Sequence, residues 1–178
     1  MLRTTIDLDA IAHNTRRLRE QTSAELMCVV KADAYNHGVE RCVPVMEAGG
    51  ADAFGVATFA EARRVRELTT KPVLAWLWDP QEELPAGVDV GVPSFTHLQS
   101  LIDAPMAPTA YLKVDTGMHR SGIDEVRWQE AFELALDAQR KGKLTVAGLM
   151  THLSCADDPA DPYTCLLYTS DAADDSLR

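Results

Sequence analysis

The sequence predicts an α/β fold of the TIM-type β/α-barrel class, and three features predict it. Short apolar, β-rich runs alternate with amphipathic stretches about six times. Such alternation gives parallel strands joined by right-handed crossovers, either in an open doubly wound sheet or in a barrel. Nothing resembles the G-x-G-x-x-G turn of a dinucleotide-binding sheet. Polar and ionisable residues gather instead just after several different strands, which is how a barrel builds a site at one mouth. A complete barrel takes eight strands and about 250 residues. With 178 residues, the barrel is expected to be truncated after about six βα units.

The strands are expected at residues 26–30, 53–56, 73–76, 88–91, 110–114 and 146–150, each short, apolar and rich in β-branched residues. The first helix is expected to start at Asp9 as N-cap, with Ile11, Asn14 and Leu18 on one stripe. Thr58 and Glu61 have the spacing of a capping box, in which each satisfies a backbone donor of the other. Ala62, Val65 and Leu68 then form that helix's inner face. A longer helix is expected over 124–140, with Trp128, Phe132 and Ala135 inward and Gly142 placed to stop it.

Composition narrows the function classes. The chain is 46% hydrophobic and 25% charged, ordinary for a globular protein with one core. It has no run of roughly 18–20 apolar residues that would cross a membrane, and its first residues lack the apolar core of a signal peptide, so a cytoplasmic protein is expected. The formal net charge of −10 argues against nucleic-acid binding, which needs basic surface. Cys28, Cys42, Cys155 and Cys165 have no C-x-x-C spacing and are expected to be reduced, Cys28 as a small buried hydrophobe; no metal site is read from the sequence. Residues 165–178 carry no clear period, and 165–175 resemble one reading frame through a transposon adapter used in sequencing libraries. The domain is therefore expected to be 1–164, with 165–178 set aside as a non-native tail.

Three strand ends carry candidate chemistry. Lys31 ends the run Leu26-Met-Cys-Val-Val30, where a lysine either snorkels to water or acts as a Schiff-base nucleophile toward an aldehyde. Tyr35 and His37 follow in the turn to the next helix, where donors can hold a phosphate. After the fifth strand, Lys113, Asp115 and Arg120 lie in or beside a glycine-bracketed loop; Arg120 either forks onto a carboxylate or phenolate oxygen or makes a surface pair with Asp115. His152 closes the sixth strand, as a structural residue or as a group working near neutral pH. In a parallel barrel these distant positions surround one mouth.

Val29-Val-Lys-Ala-Asp-Ala-Tyr-Asn-His-Gly38 and Leu112-Lys-Val-Asp-Thr-Gly-Met-His-Arg-Ser-Gly122 resemble the two diagnostic stretches of bacterial alanine racemases. Ile6-Asp-Leu-Asp-Ala-Ile11 and Gly148-Leu-Met-Thr-His152 fall in the expected order, and the likeness covers residues 3–164. The resemblance implies pyridoxal 5′-phosphate held by Lys31 as a Schiff base, with Tyr35 near the phosphate. It implies that Arg120 faces the phenolic oxygen and the substrate carboxylate, that Lys113 stands where the family often carries a carbamylated lysine, and that His152 lies beside the pyridine ring. Lys31, Arg120 and His152 are thus the catalytic candidates. Asn36 replaces the glycine common at its position. The implied activity is interconversion of L- and D-alanine for peptidoglycan, in a head-to-tail homodimer whose partner supplies the second base from a C-terminal β domain. That domain and the last two strands lie beyond this sequence, so the chain itself is expected to have little or no racemase activity. Alternatives are a serine or broad-specificity racemase, a pyridoxal-dependent decarboxylase, and a non-catalytic pyridoxal-phosphate-binding barrel.

Overall fold

A computed structural model describes residues 3–164 and residue 167 of the chain. The expected non-native tail, 165–178, lies outside the described residues apart from Leu167. Six strands, β1 (Met27–Val29), β2 (Ala53–Val56), β3 (Val73–Ala75), β4 (Asp89–Val92), β5 (Thr109–Lys113) and β6 (Thr145–Met150), form one sheet in sequence order. Every neighbouring pair is parallel. A doubly wound sheet reverses its strand order at a switch point; this sheet does not, and the barrel reading is correct.

Alternation along the strands separates two sides. One side carries Phe54, Val56, Val73, Ala75, Val90, Val92, Ala110 and Leu112, all buried against the helices. The helices answer with Val39, Cys42 and Val43 from α3 (Val39–Ala48), Phe59, Ala62 and Val65 from α4 (Phe59–Arg66), Leu98 and Leu101 from α5 (Phe95–Asp103), and Ala135 and Ala138 from α6 (Trp128–Arg140). Each fully buried Leu, Val or Phe contributes roughly 1.5–3 kcal/mol, so this layer holds the sheet in shape. The other side is the barrel interior. There Gly55 and Gly91 leave room for Trp76, since a Cβ at either glycine would lie 2.7 or 2.9 Å from its side chain.

The helices differ from expectation at their ends. α1 (Leu8–Glu20) is capped by Asp7, whose carboxylate accepts from the Ala10 amide at 3.0 Å; Asp9 lies one turn-position inside. Only Asp7 has the extended backbone that an N-cap requires. Its buried residues are Ala12 and Thr15, while Asn14 and Leu18 are exposed, because α1 packs on α3 with Thr15 against Gly49. The Thr58–Glu61 capping box is present. The last helix begins at Trp128 after a 3₁₀ turn, Glu125–Arg127, and ends before Gly142 at φ +68°. Between β3 and β4 there is no helix. Pro80, Pro85 and Gly87 interrupt that crossover, and Trp78 anchors it, stacked on Phe59 at 5.4 Å and donating to the Gly91 carbonyl at 2.8 Å. Among the described residues, Cys42 and not Cys28 is the fully buried cysteine; Cys28 is half-buried, and Cys28, Cys42 and Cys155 are free thiols. No helix among the described residues is long and apolar enough to cross a membrane.

Candidate active site

The C-terminal ends of β1, β5 and β6 bring five of the seven candidate residues to one cavity; His37 and Asp115 are not among its described lining residues. Lys31, Tyr35, Lys113, Arg120 and His152 line a space of about 560 Å³, together with Met27, Val29, Leu74, Trp76, Leu77, Ser121, Met150 and Thr151. Sequence reasoning missed Trp76, Leu77, Ser121 and Thr151. Trp76 carried a signal, since it follows Leu74 by two and therefore shares its face of the strand.

Lys31 follows β1 after Val30, whose amide extends the pairing by donating to the Gly55 carbonyl at 2.8 Å. The chain then makes the single turn α2 (Lys31–Asn36) with left-handed backbone. Ala32, Asp33, Ala34, Tyr35 and Asn36 have φ between +51° and +66°. Left-handed conformation costs roughly 1–2 kcal/mol per residue for anything but glycine, though asparagine tolerates it, so Asn36 serves where a glycine would be at ease. The turn reverses the chain tightly and leaves Tyr35 half-exposed over the mouth, with the Lys31 ammonium 5.7 Å from its ring centre.

Lys113 ends β5 facing the barrel interior and is buried, at 6% exposure. The loop beyond it folds back on the strand: the Ile123 amide donates to the Lys113 carbonyl at 2.8 Å and the Asp115 amide to the Ile123 carbonyl at 3.0 Å. Gly122 permits this return, since at φ +141° its Cβ would lie 2.7 Å from the Asp115 nitrogen. The Asp115 carboxylate accepts from the Gly117 and His119 amides at 2.9 and 3.1 Å and pairs with the His119 ring. The bland expectation of an Asp115–Arg120 surface pair is thus not realised, because the carboxylate is committed to its own loop. Arg120 is left facing the cavity. After β6, the Thr151 hydroxyl contacts the Val114 carbonyl at 3.0 Å and the Thr116 hydroxyl at 2.8 Å, tying the His152 strand end to the Arg120 loop.

The cavity is electropositive in a chain of net charge −10. Its described lining residues include Lys31, Lys113 and Arg120 and no carboxylate. Burial, then Arg120, push the Lys113 amine below the usual lysine range, against a smaller opposing pull from Asp115. Burial, followed by the charges of Arg120, Lys113 and Lys31, lowers His152 from the usual histidine value. The folded chain therefore disfavours the imidazolium, and this group's stabilising contribution is complete above about pH 6.5 and lost as pH falls through the lowered value. Arg120→Met is expected to raise the His152 titration midpoint, followed by NMR of the ring protons. An unmoved midpoint would place His152 outside the field of Arg120.

Such a cavity fits an anionic aromatic aldehyde. The cations offer partners to a phosphate or carboxylate, Lys31 offers an amine to a carbonyl carbon, and Trp76, Leu77, Leu74 and Met150 offer apolar walls to a ring. Residues 6–169 match the family model described as "Alanine racemase, N-terminal domain". The alanine racemase of Corynebacterium efficiens is 51% identical over 173 residues, covering 92% of this chain and 46% of that protein. That of Thermobifida fusca is 41% identical, covering 89% and 45%. The crystal structure of the Corynebacterium glutamicum alanine racemase superposes with a TM-score of 0.83 at 44% identity, covering 92% of this chain and 49% of that one. That from Streptomyces lavendulae gives 0.86 at 34%, covering 97% and 47%. The chain spans about half the length of the relatives it matches.

Proposed function

The chain belongs to the alanine racemase N-terminal-domain family, and from that premise we propose that its cavity holds pyridoxal 5′-phosphate for the racemisation of alanine in a protein of the relatives' length. The observation that carries this reading is the group of cations around one apolar-walled cavity with no carboxylate among its described lining residues. Bound there, pyridoxal 5′-phosphate would supply an electron-accepting ring that acidifies the α-hydrogen of an amino acid.

The chain's own residues divide the remaining work. Lys31 would hold the group through its aldehyde carbon, water leaving as the amine takes the oxygen's place, and as a free amine would move a proton at the amino-acid Cα on one face. Arg120 would offer its planar fork to the phenolic oxygen and the substrate carboxylate and so orient the Cα–H bond. Tyr35 would hold the phosphate through its hydroxyl, and His152, whose surroundings disfavour the imidazolium, would lie beside the pyridine ring. Lys113 is suited to carbamylation, since burial and Arg120 favour its neutral amine, the form that adds carbon dioxide. The resulting anion would turn a repulsion toward Arg120 into an attraction and orient the guanidinium. The opposite face of Cα needs a second acid–base, which this reading assigns to the partner in a homodimer.

Borohydride reduction of the chain with pyridoxal 5′-phosphate, followed by peptide mapping, tests the reading. A pyridoxyl group concentrated on Lys31 is expected. Label spread over many lysines would remove Lys31 from its role and favour a fold without a cofactor site.

A further inference from the structure

We propose that Glu61 is a positioning residue for Lys31, clamping the left-handed turn that presents the lysine to the cavity. Its carboxylate, on the first turn of α4, bridges two strand ends. One oxygen accepts from the Ala32 amide, directly after Lys31, at 2.8 Å. The other accepts from the Ala57 and Thr58 amides, at the end of β2, at 2.8 and 3.0 Å.

A capping box needs only the reciprocal bonds between Thr58 and Glu61. The bond to Ala32, 29 residues away in sequence, contributes nothing to capping. Ala32 itself is exposed, and the Glu61 oxygen is the acceptor its amide meets. The turn needs such a tether. Left-handed backbone at five consecutive non-glycine residues persists only where the surroundings over-determine it. α4 is a firm base for the clamp, with Phe59, Ala62 and Val65 buried in the core. It also grips the turn at a second point, since Arg64 pairs with Asp33 at 3.2 Å, and Asp33 in turn accepts from the Val39 amide at 3.0 Å. Burial pushes the Glu61 carboxyl up, but the Ala32, Thr58 and Ala57 amides outweigh it and hold the carboxyl below the usual glutamate range. The clamp is therefore charged at neutral pH.

The inference rests on Lys31 being the residue that captures the aldehyde, and two variants separate the two claims. Glu61→Gln keeps the length of the side chain but leaves one acceptor oxygen, which can no longer bridge the Ala32 amide and the end of β2. Thr58→Val removes the capping hydroxyl and leaves the Ala32 bond intact. In the full chain, the rate of borohydride-trapped labelling of Lys31 by pyridoxal 5′-phosphate is expected to fall about tenfold in E61Q, the size of one lost charge-assisted hydrogen bond. In T58V it is expected to stay unchanged despite a lowered unfolding midpoint. Equal Lys31 labelling in E61Q and the unsubstituted chain would overturn the clamp while leaving the cofactor reading standing. Label away from Lys31 in the unsubstituted chain would overturn both. Amide hydrogen exchange at Ala32 in the unsubstituted chain decides the matter even if E61Q does not fold: slowing of about tenfold or more relative to an open amide is expected from the bond to Glu61, and open exchange would overturn the clamp.

Discussion

Lys31→Ala is expected to abolish pyridoxyl labelling at the cavity and to lower alanine racemisation by about 10²–10⁴-fold, the range for loss of a positioned acid–base. Racemisation is best measured in a chimaera, with residues 1–164 of this chain replacing the matching part of the Corynebacterium efficiens racemase. The cavity contains a second amine, Lys113, so the prediction is a choice between two lysines. Lys113 is pushed toward its neutral form, which by itself would make it the better nucleophile. Access decides against it. Lys113 is 6% exposed at the end of β5, whereas Lys31 is only half-buried on the turn beside the exposed Tyr35, where an entering aldehyde meets it. Lys31→Arg should lose labelling as completely as Lys31→Ala, since charge is kept and the nucleophile is not. Transfer of the label to Lys113 in Lys31→Ala, with racemisation retained, would reverse the assignment.

The parts legible in the sequence were those written in local periodicity. Six apolar runs became six strands within a residue or two of their expected bounds, and the Thr58–Glu61 spacing became a capping box. That Lys31, Tyr35, Lys113, Arg120 and His152 share one cavity was legible because parallel strands bring their C-terminal ends to one mouth, whatever their separation in sequence. The left-handed turn was not legible. Ala32, Asp33, Ala34 and Tyr35 have no glycine-like signature, and the conformation is set by Glu61, Arg64 and Asp33 acting across elements. The choice of Asp7 over Asp9 as cap was likewise tertiary, since both offer the same carboxylate and the packing of α1 on α3 sets where the helix begins. The missing helix between β3 and β4 did have a local signal, in Pro80, Pro85 and Gly87.

Phe54→Ala should be the most destabilising single change in the core, at about 3–5 kcal/mol. That is a large part of the roughly 5–15 kcal/mol that holds a typical domain together. At about 2–4 °C per kcal/mol for a chain of this size, the unfolding midpoint should fall by about 6–20 °C. Phe54 is completely buried between the sheet and the helices. Its backbone pairs with Cys28 on β1, and its own amide donates to the Pro72 carbonyl at 2.9 Å, so the cavity left by the ring opens beneath two strands at once. The next residue, Gly55, carries the carbonyl that receives the Val30 amide. Loosening β2 therefore loosens the footing of Lys31, and Val30 amide exchange should accelerate along with the loss of stability. Leu149→Ala provides the contrast: Leu149 sits on β6 with 58% of its surface exposed, and its loss should cost within about 0.5 kcal/mol. Equal midpoint shifts in the two variants would mean that the layer between sheet and helices is not what holds this fold together.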